Sequence, residues 1–382
     1  MSPEESAGES TSRAIDASRM PMPGSALRGD ARSDACSEVR RGGRRGLRRA
    51  RWRIDVSPAV PFPGCHALAV DVAAPEVRGG DVPDAPDGDA APIVLACLPG
   101  GFLSRRYYDL DPGGPNRYSF SEAMAERGFV TLAFDHFGTG DSTRPEPLER
   151  GFELGVEAIA RINQLALRRA LARLAAGDPD AGLPPLAPRA TVGVGHSMGS
   201  MLTVEQQALA RPHRALVLFS FTTRGVPAFL NEAQRAVAGD PVRARRSLGE
   251  LARASWGTPY PERATDGEPN RRAAFGVGTA PPRAEALLQD ASTNLLGLAG
   301  LLSMIPGGYA PPAGRIDVPV YVLVGDHDLH DARGLRDELP KAPVVESRTL
   351  ADCWHCHFVA NGRETIWREV GDWIHRTLGT TS

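Results

Sequence analysis

A chain of 382 residues with 42% hydrophobic and 24% charged side chains can build one large core with appendages, which excludes a fibrous or wholly disordered protein. With 44 basic against 46 acidic residues the formal net charge is -2, so no global field draws the molecule to nucleic acid or to an anionic membrane. No run reaches the roughly 18 apolar residues that cross a bilayer, and five cysteines, an odd number, argue for a reducing, cytoplasmic setting.

The first residues, MSPEESAGES, contain no apolar signal core. Residues 1–50 are rich in Ser, Gly, Pro, Ala and Arg without apolar periodicity and read as a disordered tail. The tail leads into RRGGRRGLRRARWR, eight arginines in fourteen positions; apart from Trp52 near its end no aromatic residue interleaves, so the run reads as a solvated tail rather than a nucleic-acid arm. From Trp52 short β-like runs follow: RWRIDV, HALAVDVA, then IVLACL at Ile93–Leu98 after a long Pro/Gly/Asp-rich loop.

Strand and helix then alternate. A helix near Ser121–Arg127 carries Ser119 and Glu122 at capping-box spacing and Gly128 as a stop, and FVTLAF follows as a strand. A helix near Gly155–Ala176 aligns Ile159, Ile162, Ala166, Ala170 and Leu174 on one stripe. Next come the strand Ala190–Val194, a helix Met198–Ala210, the strand RALVLFSF and, much later, VPVYVLV at Val318–Val324. Runs that are apolar throughout fit strands covered on both faces, so the expected fold class is α/β, a doubly wound and mostly parallel sheet. About 95 residues separate Thr222 from Asp317, far more than one crossover helix needs. Residues 223–312 therefore read as an inserted lid, and 51–222 with 313–382 as the core; the lid holds a charged helical stretch, Asn231–Arg253, and an apolar run, Asn294–Ile305.

The chemistry concentrates in three places. Gly195-His196-Ser197-Met198-Gly199 is a G-x-S-x-G between an apolar strand and a helix, the setting in which a sharp turn projects the Ser197 hydroxyl. A serine hydroxyl needs a base, and the base an orienting carboxylate, in the chain order Ser, Asp, His for this kind of turn. The strand VPVYVLV ends in Gly325-Asp326-His327-Asp328, which offers Asp328 as the acid with Asp326 as the alternative. After VVESRTL comes Ala351-Asp352-Cys353-Trp354-His355-Cys356-His357-Phe358; His355 is the expected base and His357 the alternative, while His196 and His327 line the site or support packing. Two N–H donors must face the developing oxyanion: Met198 after the nucleophile, and Gly101 (or else Phe102) in Pro99-Gly100-Gly101-Phe102.

LPGGFLSRRYYDL, the Asp135–Ser142 turn DHFGTGDS, GHSMG, GDHD and the His355 segment, taken in order, resemble the α/β-hydrolase family from about residue 51 to 380 outside the lid. DCWHCHF is similar to the D-C-G-H-C-H segment of a group of bacterial hydrolases. The resemblance implies that family's fold and a serine hydrolase mechanism, with no cofactor or metal and a small-molecule acyl substrate. Two departures are Pro99-Gly100 where the family has His-Gly, and Trp354 where it has a glycine before the base.

Cys353 to His357 also matches C-x-x-C-H, a haem-attachment pattern, but haem would leave the Ser197 and Asp328 elements unexplained. Four metal ligands packed into five residues close a tetrahedron with difficulty. A hydrolase-fold ligand receptor without activity is the other rival, against which stands the presence of all three triad residue types. The expected reaction is acyl transfer to water, with the Leu295–Ile305 segment as a candidate wall of the acyl pocket, to be tested at Leu298 and Leu302.

Overall fold

The computed structural model describes residues 47–76, 91–262 and 280–379. Within them eight strands form one sheet: β1 (Leu47–Asp55), β2 (Ala67–Pro75), β3 (Ile93–Leu98), β4 (Val130–Phe134), β5 (Ala190–His196), β6 (Ala215–Phe219), β7 (Val320–Gly325) and β8 (Val345–Leu350). Their order across the sheet is β1-β2-β4-β3-β5-β6-β7-β8. β2 is antiparallel to both of its neighbours, and from β4 to β8 every adjacent pair is parallel.

Residues 1–46, with Cys36, and residues 263–279 of the expected lid lie outside the described residues. The tail boundary at residue 50 needs correction, because β1 begins at Leu47 and pairs with β2 along its whole length, from Leu47 opposite Pro75 to Asp55 opposite Ala67. The physical reason is that the arginines there have partners. Arg49 pairs with Asp109 and Glu122, Arg51 with Asp71, and Arg53 donates to the carbonyl of Asp141, so the end of the Arg-rich run is an ion-paired edge strand.

β3, β4, β6 and β7 are buried at every position, as strands sandwiched between helices must be. Their side chains alternate between two cores. On one face Val94, Ala96 and Leu98 join Ile159, Ile162 and Leu167 of α2 (Val156–Ala176) and Met201 and Leu202 of α3 (Met198–Ala210). On the other, Ile93, Leu95 and Cys97 join Phe120 and Met124 of α1 (Phe120–Ala125) and Trp367, Val370 and Trp373 of the Arg363–Leu378 helix. Each large aliphatic side chain buried this way contributes roughly 1.5–3 kcal/mol, so the parallel strands are the rigid floor of the molecule.

Between β6 and β7 the charged stretch Asn231–Arg253 divides into two helices, Glu232–Arg235 and Pro241–Trp256. Gly239, with a φ of 78°, and Pro241 interrupt it; Asn231 caps the first helix and the Asp240 side chain the second. The apolar run becomes the helix Gly297–Met304. Among the described residues no helix is long and apolar enough to cross a membrane.

Candidate active site

The turn after β5 is limited by backbone contact. Ser197 sits at φ 54° and ψ -121°, a conformation that costs a non-glycine residue on the order of 1–3 kcal/mol. A Cβ on Gly195 would lie 2.4 Å from Cα of Ser200, and one on Gly199 would lie 2.1 Å from the carbonyl oxygen of Leu98. Neither position accepts a side chain, and the strain between them lifts the Ser197 hydroxyl away from the strand.

That hydroxyl meets His355, whose Nε2 lies 3.0 Å from Ser197 Oγ. The opposite ring nitrogen, Nδ1, lies 2.7 Å from Oδ1 of Asp328, and the Asp328 side chain is fully buried. Burial by itself would raise the Asp328 carboxyl; the His355 imidazole beside it, and then His357, hold it well below the usual carboxylate range. The N–H of Leu329 also donates to Oδ1 at 2.7 Å. The structure thus brings Ser197, His355 and Asp328 together at the carboxyl ends of β5, β7 and β8.

The alternatives named from sequence fall elsewhere. Asp326 accepts from the backbone N–H groups of Asp352 and Cys353 at 3.0 Å each, tying the loop after β8 to the end of β7. His357 is fully buried, with Nε2 3.4 Å from Asp328 Oδ2, on the far side of the carboxylate from Ser197 Oγ's partner His355. His196 lies beneath the site and its Nε2 donates to the His355 carbonyl at 2.8 Å; burial, with His355 and His357 nearby, holds it well below the ordinary histidine range and therefore neutral. His327 stacks on Trp354 at 5.0 Å. Among the described residues the two cysteines and two histidines of CWHCH do not gather as a ligand set; the potential ligand atoms that come within 4.8 Å of one another are those of Asp326, His327 and Asp352, at the surface.

The backbone N–H groups of Met198, Gly101 and Phe102 donate to no other described residue. Phe102 takes a φ of 60° in a turn closed by the Leu103 N–H on the Gly100 carbonyl at 3.2 Å. Beneath the turn His136, from the DHFGTGDS segment, holds the Pro99 carbonyl through Nε2 at 2.9 Å. The segment before the Gly297–Met304 helix is stitched to the same turn, the Thr293 N–H donating to the Phe102 carbonyl at 2.9 Å.

Above Ser197 opens a cavity of about 370 Å³. Its walls include Phe102, Val226, Trp256, Leu295, Met304 and Leu329, with His330 and Ser303 as polar members. Leu298 and Leu302, named above as pocket residues, do not line it; both are buried in the core, because the helix turns Gly300, Ser303 and Met304 to the cavity. Sequence reading missed Ser220, whose hydroxyl donates to Asp328 Oδ2 and lies 3.1 Å from His355 Nδ1. Nothing local marks a serine at the end of an apolar strand, and the only signal, a φ of 53°, is visible in structure alone.

The sequence matches the alpha/beta hydrolase family over residues 93–366. No curated protein matches it. Similar solved structures include the peroxisomal alpha-beta-hydrolase Lpx1 of Saccharomyces cerevisiae, 13% identical with a TM-score of 0.54, covering 89% of this chain and 92% of that one. A bromoperoxidase from Bacillus anthracis is 12% identical with a TM-score of 0.51, over 86% and 99% of the two chains. A thermophilic esterase from Thermogutta terrifontis is 16% identical with a TM-score of 0.50, over 86% and 98%. At such identities the likeness is one of fold, while the family match spans well over half of the chain; the protein belongs to the alpha/beta hydrolase family and is an enzyme of hydrolase type.

Proposed function

We propose that the protein is a serine hydrolase that cleaves a carboxylic ester or related acyl bond through an acyl-enzyme on Ser197. The observation that carries this reading is the pair of contacts on one imidazole, Nε2 at 3.0 Å from Ser197 Oγ and Nδ1 at 2.7 Å from Asp328 Oδ1. His355 takes the Ser197 proton as Oγ bonds to the acyl carbon, then gives it to the departing alcohol, thiol or amine. Met198 N–H, with that of Gly101 or Phe102, holds the oxyanion. Water, deprotonated by the same histidine, then attacks the acyl carbon; the bond to Ser197 Oγ breaks, His355 returns the proton to that oxygen, and the acid leaves. Asp328 stays an anion throughout, keeps the proton of neutral His355 on Nδ1, and stabilises the imidazolium.

The cavity walls suggest the substrate's character. Among the described residues the cavity is lined mainly by apolar side chains, with no lysine or arginine and with Glu262 as its carboxylate, which favours an apolar acyl group without negative charge. Residues 223–312 act in this reading as the lid, since Val226, Trp256, Leu295 and Met304 face the cavity. In this reading the protein works in the cytoplasm on a small-molecule ester, without cofactor, metal or nucleic acid.

A fluorophosphonate probe and a panel of nitrophenyl esters test this reading. The wild-type protein should label and turn over, and Ser197→Ala should lose labelling and about 10⁶-fold in kcat. Equal labelling of the two proteins defeats the reading.

A further inference from the structure

The two oxygens of Asp328 face different surroundings. Oδ1 serves the triad, accepting from His355 and from the Leu329 N–H. Oδ2 points to a region that the reaction described above does not use. It meets the Ser220 hydroxyl, the Gly325 N–H at 3.4 Å and Nε2 of His357 at 3.4 Å.

Both side chains on Oδ2 are costly for the fold. Ser220 is buried and holds a left-handed φ of 53° without being glycine. His357 has a side chain with 0% exposure, and among the described residues neither ring nitrogen has a well-aligned hydrogen bond; Nε2 reaches Asp328 Oδ2 only at 3.4 Å. A leucine there would remove two buried, unsatisfied nitrogens. Two unfavourable features that converge on one oxygen atom point to function more than to stability.

We infer that Ser220 and His357 are positioning residues that clamp Oδ2 of Asp328, so that its Oδ1 stays fixed on His355. The inference rests on the reading of Ser197, His355 and Asp328 as the reacting triad. A carboxylate that no water reaches depends on protein donors for its charge and for its rotamer. If the Oδ2 side is left bare, the carboxylate can turn or capture a proton, and His355 loses the group that sets its tautomer. At 3.4 Å the His357 contact has room to shorten as charge develops on the Asp328–His355 pair. The titratable groups around this clamp are Asp328, His355, His196, whose ring lies 5.8 Å from that of His357, and, near Asp328, His330 and Cys353.

Three variants test it: His357→Leu, His357→Gln and Ser220→Ala. Each is assayed for kcat, KM, the pH profile of kcat/KM, the rate of fluorophosphonate labelling and thermal melting. His357→Leu should melt no lower than the wild type, yet lose ~10- to 100-fold in kcat with little change in KM. Its acid limb should move to higher pH, because donors that stabilise the charged carboxylate oppose protonation of the Asp328–His355 pair. Gln, which keeps an N–H near the Nε2 position, should restore most of the rate, whereas Ser220→Ala, which removes the hydroxyl, should lose rate as His357→Leu does. Unchanged kcat and pH profile in His357→Leu overturn the inference, as does a His357→Gln that folds but is as slow as the leucine variant. Failure of the wild type itself to label sinks the triad reading instead, so the two failures are distinguishable.

Discussion

The two turns that meet at the site are held by different balances of backbone and side-chain contact. In the turn after β5, backbone touches backbone: a Cβ on Gly199 would fall 2.1 Å from Leu98 O, and the strained Ser197 sits between two glycines that nothing can replace. In the loop after β8, one backbone contact, the Cys353 carbonyl against Gly325 and the His327 N–H, is joined by side chains drawn from many segments. Asp326 accepts two N–H groups of that loop, His196 holds the His355 carbonyl, and Phe358 stacks between Tyr107 at 4.8 Å and Phe120 at 4.9 Å. A turn fixed by its own backbone carries its signature in five consecutive letters. A loop fixed by partners drawn from many segments has no such local mark.

The largest effect that sharpens this contrast lies in the two carboxylates of GDHD. Asp328→Asn should lower kcat by about 10⁴-fold, since the amide presents the wrong hydrogen-bonding pattern to His355. Asp326→Asn weakens only the hydrogen bonds that tether the loop, and should cost on the order of 1 kcal/mol of stability because the group is exposed. The measurement is kcat with a nitrophenyl ester beside a urea titration of each variant. A loss in Asp326→Asn as deep as that in Asp328→Asn would mean that the loop tether and the reacting acid had been assigned the wrong way round.

Next in size is a direct comparison of the two turns. Gly199→Ala forces a methyl group into the Leu98 carbonyl and should cost about 3 kcal/mol or more. Phe358→Leu removes one ring from a stack, keeps most of the apolar volume, and should cost about 1–1.5 kcal/mol. If Gly199→Ala melts with the wild type, the turn after β5 is not held by backbone contact.

The same contrast explains what the sequence made legible. The strand-helix alternation and the G-x-S-x-G turn were readable because burial on both faces and steric exclusion at glycine act over a few residues. The choice between His355 and His357 was not readable: they stand two residues apart, and only the fold reveals that one faces Ser197 and the other the back of Asp328. Ser220 left no trace, since it ends a strand whose neighbours are all apolar. The Arg-rich run was read as tail up to residue 50 because the partners of Arg49, Asp109 and Glu122, lie far along the chain, beyond what local composition reports. The inward face of the Leu295–Ile305 run was misjudged for a related reason: apolar content all around a helix does not say which side meets a cavity.

Acid separates the site from the scaffold. His136, under the Pro99 carbonyl, is pushed by burial down to about 4, and His213, beside β6 and away from Ser197, down to about 3. Each is neutral when folded, while an unfolded histidine takes up its proton near 6.5. Their stabilising contribution is therefore complete above pH ~6.5 and declines as pH falls towards ~4, by roughly 1.4 kcal/mol per pH unit for each histidine. Asp328, held well below its ordinary value of 3.8, surrenders its share only at lower pH still. Urea midpoints across this range should show the slope, and because the buried, neutral His196 shares it with His136, His213→Asn should flatten it by about a third while leaving the ester kinetics at neutral pH alone. A slope that His213→Asn does not change would show that neither the burial nor the neutrality of this histidine bears on folding.

The smallest effect separates the two sides of the Gly297–Met304 helix. Met304 faces the cavity, and its truncation to alanine leaves room for a longer acyl chain, so the preferred ester should lengthen, with the discrimination per added methylene changing by about 1–2 kcal/mol. Leu302 is fully buried against the core, where Leu302→Met keeps volume, costs less than about 1.5 kcal/mol and should leave chain-length preference where it was. The readout is the ratio of kcat/KM between a short and a long nitrophenyl ester, which cancels any common loss from altered stability. If Leu302→Met moves that ratio and Met304→Ala does not, the acyl group does not lie along the Met304 side, and the chain must leave Ser197 toward Val226 and Trp256 instead.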